Sequence, residues 1–169
     1  AIGRYALTAN TTANSNVAVG QSALGTNTTG TLNVAVGSSA LANNTTGSNN
    51  VAMGFAASQL NTTASNNTSI GYAALNANTE GHSNTAVGYN SLTANTTALY
   101  NTAVGRNALD ATTTGASNVA IGYDALGKNV SNTANVAVGY AALEDANGSD
   151  YCTAMGYAAG KDLTTGDNN

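Results

Sequence analysis

Aromatic residues recur at one position of the sequence, where they could contact a ligand or another chain. Each of them directly follows a glycine: Phe55, Tyr72, Tyr89, Tyr123, Tyr140 and Tyr157. If these rings stack at a regular spacing, they form a discontinuous aromatic ladder. Aromatic faces suit sugar rings, so the ladder could bind a glycan, and it could equally seal an interface between chains. We favour the structural role.

Asparagine recurs at two positions that suggest different chemistry. One set begins Asn-Thr-Thr segments, which are glycosylation acceptors and also common turn sequences: Asn10, Asn27, Asn44, Asn61 and Asn95. The second set lies four residues before a recurring glycine: Asn16, Asn33, Asn50, Asn67, Asn84, Asn101, Asn118 and Asn135. Stacked asparagine amides can bond along a fibre axis, as in cross-β ladders. The second set is therefore interpreted as a structural ladder.

The remaining reactive side chains do not suggest an enzyme. His82 is the only histidine and Cys152 the only cysteine. A histidine dyad, a metal cluster and a disulfide all lack partners, and identical repeats do not bring different residues together as an active site requires. We expect no catalytic residue, no metal and no cofactor.

Charge and hydropathy narrow the possible partners. Only 7% of the residues are charged, and four of them are Lys or Arg. Nucleic-acid binding needs a basic surface, so that partner is not expected. No apolar run approaches the ~20 residues that span a bilayer, so membrane insertion is not expected either.

A strict internal repeat predicts the architecture. Glycine recurs at every seventeenth position: Gly3, Gly20, Gly37, Gly54, Gly71, Gly88, Gly105, Gly122, Gly139 and Gly156. The consensus around it is N-V-A-V-G-Y-x-A-L-x-x-N-T-T-G. A short β-branched strand and two turn-like glycines in each repeat suit one coil of a stacked solenoid. We predict an all-β chain, a parallel β-solenoid (β-roll) of ten 17-residue coils forming one array over residues 1–169.

The Val-Ala-Val segment predicts which side chains face inward. Side chains alternate along a strand, so Val17 and Val19 share one face and Ala18 takes the other. We predict that the valines point into the coil and that the alanine row points out. The outward row would be Ala18, Ala35, Ala52, Ala86, Ala103, Ala120, Ala137 and Ala154. Either a tight turn or packing against another chain would keep this row small. The Ala-Leu step after each aromatic position is predicted to start a second short strand or an extended edge.

The thin apolar core of each coil favours lateral association of chains. Three large apolar side chains contribute roughly 5–9 kcal/mol, whereas ordering one 17-residue coil costs about 17–34 kcal/mol. Neighbouring coils must supply the difference. We therefore favour packing of the alanine row against copies of the same chain, most simply as a homotrimer.

The segments Asn33–Gly37 (N-V-A-V-G) and Asn118–Gly122 (N-V-A-I-G) resemble the head repeats of trimeric autotransporter adhesins. The longer unit at 84–97 is similar to repeats of bacteriophage tail fibres and bacterial surface fibre proteins. The resemblance covers the whole chain, and it implies a left-handed, trimeric, extracellular and non-catalytic fibre.

The expected function is therefore structural: a component of an extracellular fibre, such as a tail-fibre shaft, a surface filament or an adhesin stalk. The array lacks capping coils at both ends, so we expect it to belong to a longer fibre or to stack head to tail. One alternative is an adhesin head that binds a cell-surface glycan or receptor. A weaker alternative is an ice-binding solenoid, because regular threonines such as Thr28, Thr45, Thr62 and Thr96 could order water.

Overall fold

The computed structural model describes residues 1–164 and 166–168. Within these residues it contains a single sheet of nine parallel strands that follow one another in chain order. Each strand pairs with the equivalent strand of the next coil, as in Val17 with Val34. The strands are β1 (Val17–Val19), β2 (Val34–Val36), β3 (Val51–Met53), β4 (Thr68–Ile70), β5 (Thr85–Val87), β6 (Thr102–Val104), β7 (Val119–Ile121), β8 (Val136–Val138) and β9 (Thr153–Met155). The prediction of an all-β parallel β-solenoid with 17-residue coils is confirmed. Ile2 adds a parallel bridge to Val19 in front of β1.

The predicted second strand after the aromatic position is wrong. In its place lies a turn segment, the six residues after the glycine, in which the second and fourth residues have left-handed backbone. Ser22 has a φ of 58° and Leu24 a φ of 50°. A left-handed residue other than glycine costs about 1–2 kcal/mol, and bonds to both neighbouring coils offset that cost. The Ser22 N–H donates to the Arg4 carbonyl at 2.8 Å, and the Leu24 N–H donates to the Ala40 carbonyl at 3.1 Å.

The recurring glycine forms the corner between strand and turn segment, and no other residue fits there. Gly20 has a φ of 134°, which L side chains rarely adopt, and a Cβ on it would overlap the carbonyl of Gly37 in the next coil. The N–H of Gly20 donates to the Ile2 carbonyl at 2.7 Å. The 17-residue period is therefore fixed by a close backbone contact between successive coils.

The predicted orientation of the strands is also wrong. The alanine row points into the coil: Ala18 is 1% exposed, and Ala35, Ala52, Ala86, Ala103, Ala120 and Ala137 are fully buried within the single chain, while Ala154 in β9 is partly buried. This row cannot pack against another chain, because its side chains lie in the core of their own. The valines, isoleucines, methionines and threonines on either side of it point outward.

The physical reason is the leucine of the turn segment. Leu24, Leu41 and their equivalents from Leu75 to Leu143 are at most 1% exposed and fill most of the narrow interior. Only a small side chain fits between the strand and this leucine column, so the larger β-branched side chains turn out. Alternation within a strand shows that two faces exist, but it does not say which face is inside.

The coil that contains Ser58 departs from this core. Ser58 replaces the buried leucine and Ser69 replaces the buried alanine, and their hydroxyl oxygens lie 2.9 Å apart. Ser69 also donates to the carbonyl of Val51 at 3.3 Å. The apolar core falls into two clusters on either side of this pair, one ending at Ala57 and the other beginning at Ala74.

Candidate functional site

One extended surface feature is the outer sheet face, defined as the outward side chains of the first and third residues of β1–β9. All of these residues are Val, Ile, Met or Thr, and none carries a charge or an amide. Several are large and well exposed, including Val17, Met53, Ile70, Ile121 and Met155. The alternating Val-Ala-Val sequence indicates that the two valines of a strand share one face. The prediction that this face lies inside the coil is the part that is wrong.

The aromatic residues after the recurring glycines form two stacks beside the outer sheet face. Phe55, Tyr72 and Tyr89 lie with ring centroids 5.3 and 5.1 Å apart. Tyr123, Tyr140 and Tyr157 lie 5.0 and 5.1 Å apart. Neighbouring rings are within 15° of parallel. The predicted ladder therefore exists as stacked rings at the spacing of the coils.

Arg106 occupies the gap that made the predicted ladder discontinuous. Its guanidinium carbon lies 5.4 Å from the Tyr89 ring centre and 5.7 Å from the Tyr123 ring centre. Both distances fall within the range of cation–π attraction. The two stacks and Arg106 thus form one continuous row, called here the aromatic stack. Sequence reasoning missed Arg106, although it lies one residue after Gly105, at the position that is aromatic in six other coils.

The geometry of the aromatic stack limits what it can bind. Each inner ring has both faces covered by its neighbours, so the row presents ring edges and phenol hydroxyls to solvent. Sugar rings stack on aromatic faces, and the inner rings leave those faces covered. The stack is suited to contact with another protein surface through its edges, together with the outer sheet face.

The asparagines that lie four residues before eight of the recurring glycines form a continuous hydrogen-bonded column, which is buried from Asn33 onward. The N–H of Asn33 donates to Asn16 Oδ1 at 2.9 Å, and Asn33 Nδ2 donates to the carbonyl of Gly47 at 2.8 Å. The same bonds repeat from Asn50 to Asn135. The column is a ladder between coils. In it, each side-chain Oδ1 accepts mainly from the backbone N–H of the next asparagine and not from that residue's side-chain amide.

The Asn-Thr-Thr asparagines form a second interior column, the turn asparagine column. Asn44 Nδ2 donates to Asn27 Oδ1 at 2.7 Å, and Asn61 Nδ2 donates to Asn44 Oδ1 at 2.7 Å. Asn27, Asn44, Asn61 and Asn95 are 0–1% exposed. The folded coils leave no room for a glycan on these four, which favours the turn role over glycosylation. Asn10, in the first coil, is partly buried.

The turn asparagine column ends at Thr112, with an identifiable consequence. Among the described residues, Asn95 Oδ1 is buried and has no hydrogen-bond partner. In the preceding coils the next asparagine amide donates to the equivalent oxygen, as Asn95 Nδ2 does to Asn78 Oδ1 at 2.7 Å, whereas the Thr112 hydroxyl donates to the Asn129 carbonyl at 2.8 Å. One unsatisfied buried acceptor costs about 1–3 kcal/mol.

The threonines considered for ice binding use their hydroxyls within the protein. Thr28 donates to the carbonyl of Thr45 at 3.0 Å, and Thr45 donates to the carbonyl of Thr62 at 3.0 Å. Thr62 and Thr96 make the same bond at 3.1 and 3.2 Å. These hydroxyls are donors in an inter-coil ladder, which leaves them less able to order water.

Charged side chains gather on the turn segments of the later coils. Lys128 bonds to Asp145 and lies 3.6 Å from Glu144, and Lys161 lies 3.0 Å from Glu144. The hydrogen bond to Asp145 raises the pKa of Lys128, and the one to Glu144 raises the pKa of Lys161. Burial, followed by the nearby charge of Asp124, raises the pKa of Asp110. These exposed pairs stabilise the coils by little each.

The two single reactive residues have structural contacts. His82 Nδ1 accepts the N–H of Ser65 at 2.9 Å, and Cys152 is buried with its sulfur 3.3 Å from the Gly166 carbonyl. Within residues 1–164 and 166–168, no three His, Cys, Asp or Glu side chains are placed to hold a metal ion. In the same part of the chain, no helix is long and apolar enough to cross a membrane.

Comparison with models of protein families, with curated proteins and with solved structures gives no match to this chain.

Proposed function

We propose that this chain is a structural component of an extracellular fibre, such as a tail-fibre shaft, a surface filament or an adhesin stalk. In this proposal, copies of the chain associate laterally through the outer sheet face and the adjoining aromatic stack. The single observation that carries the proposal is a partly exposed, uncharged sheet face of Val, Ile, Met and Thr over nine successive strands.

The size of this surface supports association. Nine strands about 4.8 Å apart and about 10 Å wide present a strip of roughly 400 Å². The six exposed rings add on the order of 600 Å², since each has an area of about 200 Å² and is about half exposed. The sum reaches the ~800 Å² that each partner contributes to a standard interface. It also exceeds the largest apolar patch of a typical monomer, about 300–600 Å².

A homotrimer around the fibre axis is the arrangement we propose. Identical coils at a constant spacing allow three parallel chains to place equal residues at equal heights. Most soluble homo-oligomers have closed point-group symmetry, and three chains around one axis form a closed assembly. The trimer and the extracellular location also draw on the resemblance of the N-V-A-V-G repeat to adhesin heads.

Two lysine substitutions test the proposal. Val87→Lys places a charge in the middle of the outer sheet face, where assembly would bury it unpaired at high cost. Thr97→Lys is the control, because Thr97 is exposed and lies two residues after Asn95, outside the outer sheet face. Negative-stain electron microscopy should show multi-chain rods for the wild type and Thr97→Lys, and thinner single-chain rods for Val87→Lys. Rods of equal thickness for all three proteins would contradict the proposal.

A further inference from the structure

Two grooves lie on the turn segments, away from the outer sheet face, and each is centred on a glycine. In most coils the fifth residue after the recurring glycine has a side chain, such as Gln59 or Asn76. Gly25 and Gly127 occupy that position without one. The Gly25 groove has a volume of about 440 Å³ and the Gly127 groove about 280 Å³. The missing side chains therefore create concave sites in an otherwise filled row.

The Gly25 groove is lined by uncharged hydrogen-bonding groups that the protein does not use. The hydroxyls of Thr8, Ser22 and Ser39 and the amide of Asn43 line it and form no hydrogen bond within residues 1–164 and 166–168. Each hydroxyl can both donate and accept, and the amide offers two donors and an acceptor. These groups suit a ligand whose own surface consists of hydroxyls.

An aromatic ring closes one end of the Gly25 groove. Tyr5 lines the groove and is 54% exposed. Arg4 holds this ring, because its guanidinium lies 4.5 Å from the ring centre and its Nη2 donates to the Tyr5 hydroxyl at 2.7 Å. A held ring offers apolar contact area beside polar groups. Unlike the inner rings of the aromatic stack, Tyr5 has no aromatic neighbour in the next coil, where Ser22 occupies the equivalent position.

We propose that the Gly25 groove binds a neutral oligosaccharide, with its hydroxyls bonded to Ser22, Ser39 and Asn43 and a sugar ring against Tyr5. The groove runs over three coil steps, about 14 Å, the length of a short oligosaccharide. Its volume lies within the ~300–1,000 Å³ of small-molecule sites. An added peptide strand would need an unpaired sheet edge, and the parallel pairing of β1–β9 leaves none along this face.

The Gly127 groove provides an internal comparison. It is built from the same positions of the coil, but Asp110, Asp124 and Glu144 line it together with Lys128. Carboxylates that would be desolvated by a neutral ligand make this groove the poorer site. The two grooves therefore differ in charge while sharing their backbone.

Titration calorimetry with cellotetraose, maltotetraose and N-acetylchitotetraose tests the inference. At least one of these neutral sugars should bind at millimolar or lower concentration. Gly25→Gln fills the groove with a side chain found at the same position in another coil, and it should weaken that binding by about tenfold or more. The matched control, Gly127→Gln, should leave binding unchanged. At both positions a new Cβ would lie 3.2 Å from its nearest neighbour, a backbone carbonyl oxygen, so the two substitutions are sterically matched.

A second variant separates loss of the site from loss of folding. Asn43→Ala removes an exposed amide without filling the groove, and it should also weaken binding while leaving the circular dichroism spectrum unchanged. The inference is overturned if none of the three sugars binds, or if Gly25→Gln and Gly127→Gln affect binding equally. Chain association is measured separately by molar mass, because the outer sheet face does not contribute to this groove.

Discussion

Restoring the consensus core at Ser58 and Ser69 should stabilise the array, and the two changes should not be independent. Ser58 occupies a buried position where Leu41 and Leu75 stand in the neighbouring coils. The strands around it keep the same 17-residue register. A leucine at position 58 should therefore continue the leucine column and join the two apolar clusters into one.

The size of the effect follows from the contacts. Ser58→Leu buries a leucine side chain, which contributes about 1.5–3 kcal/mol. It removes the hydrogen bond between the two serines, which contributes about 0.5–1.5 kcal/mol. Ser69 keeps the Val51 carbonyl as its acceptor. The difference between these two contributions predicts a net gain of about 1–2 kcal/mol in the free energy of unfolding.

Ser69→Ala alone should act in the opposite direction. It leaves the buried Ser58 hydroxyl without its partner, at a cost of about 1–3 kcal/mol. In the background of Ser58→Leu the same change should be close to neutral, since alanine faces leucine in the other coils. The double-mutant cycle should therefore show a coupling energy of about 1 kcal/mol or more.

Urea unfolding followed by far-ultraviolet circular dichroism measures the four proteins of the cycle. Repeat arrays can depart from two-state unfolding, so hydrogen exchange of β3, β4 and β5 should accompany the midpoints. Slower exchange on both sides of position 58 is expected in the leucine variant. Destabilisation by Ser58→Leu, or additivity within the roughly 0.3 kcal/mol that independent sites show, would refute the reasoning about this core.

Three further predictions concern single coils. Ser39→Gly should stabilise the protein by about 0.5–1 kcal/mol, because Ser39 has a φ of 61°. The control, Ser38→Gly, relieves no positive φ and should destabilise the protein by a similar amount. Thermal unfolding that ranks the two variants in the opposite order would count against the strain argument. Thr112→Asn should gain about 1 kcal/mol: a donor to the buried Asn95 Oδ1 removes a cost of about 1–3 kcal/mol, and the lost bond from the Thr112 hydroxyl to the Asn129 carbonyl costs about 0.5–1.5 kcal/mol. An unchanged urea midpoint would contradict this. Asp110→Asn should stabilise the protein by less than about 1 kcal/mol at neutral pH, because solvent screens a half-exposed carboxylate. The raised pKa of Asp110 means that folding favours the protonated acid, so the gain should vanish as pH falls below that pKa. A gain that persists in acid would exclude this cause.

The sequence was sufficient to predict the period, the strand position and the parallel stacking of coils. Glycine at a constant interval indicates a backbone contact that excludes a Cβ, and the structure places Gly20 against Gly37 in that way. A short β-branched segment before each glycine locates the strand. These features depend on local chemistry, which a repeat displays ten times over.

The orientation of the strands could not be predicted from alternation alone. The interior belongs to whichever set of side chains fits around the leucine column, and that comparison of volumes needs the coil in three dimensions. The left-handed backbone at Leu24 has no sequence signature, since leucine rarely adopts it. Bonds to the coils above and below impose it.

The candidate association surface was missed for the same reason. Once Val17 and Val19 are known to point outward, the apolar residue before every glycine becomes a surface feature and not a core one. Arg106 likewise needs three-dimensional stacking before it can be recognised as the link between two sets of rings. The ladder of asparagines needed less, because identical amides at a constant interval already suggest bonding along an axis.

Sedimentation equilibrium of the unmodified chain at micromolar concentrations tests the central proposal of lateral association most directly. We predict a single species with three times the chain mass of 16.6 kDa. This species should persist on dilution to about 1 μM, and a Kd of that size corresponds to a binding free energy of about 8 kcal/mol. A species of 16.6 kDa at every concentration would contradict the proposal and leave the apolar outer sheet face unexplained.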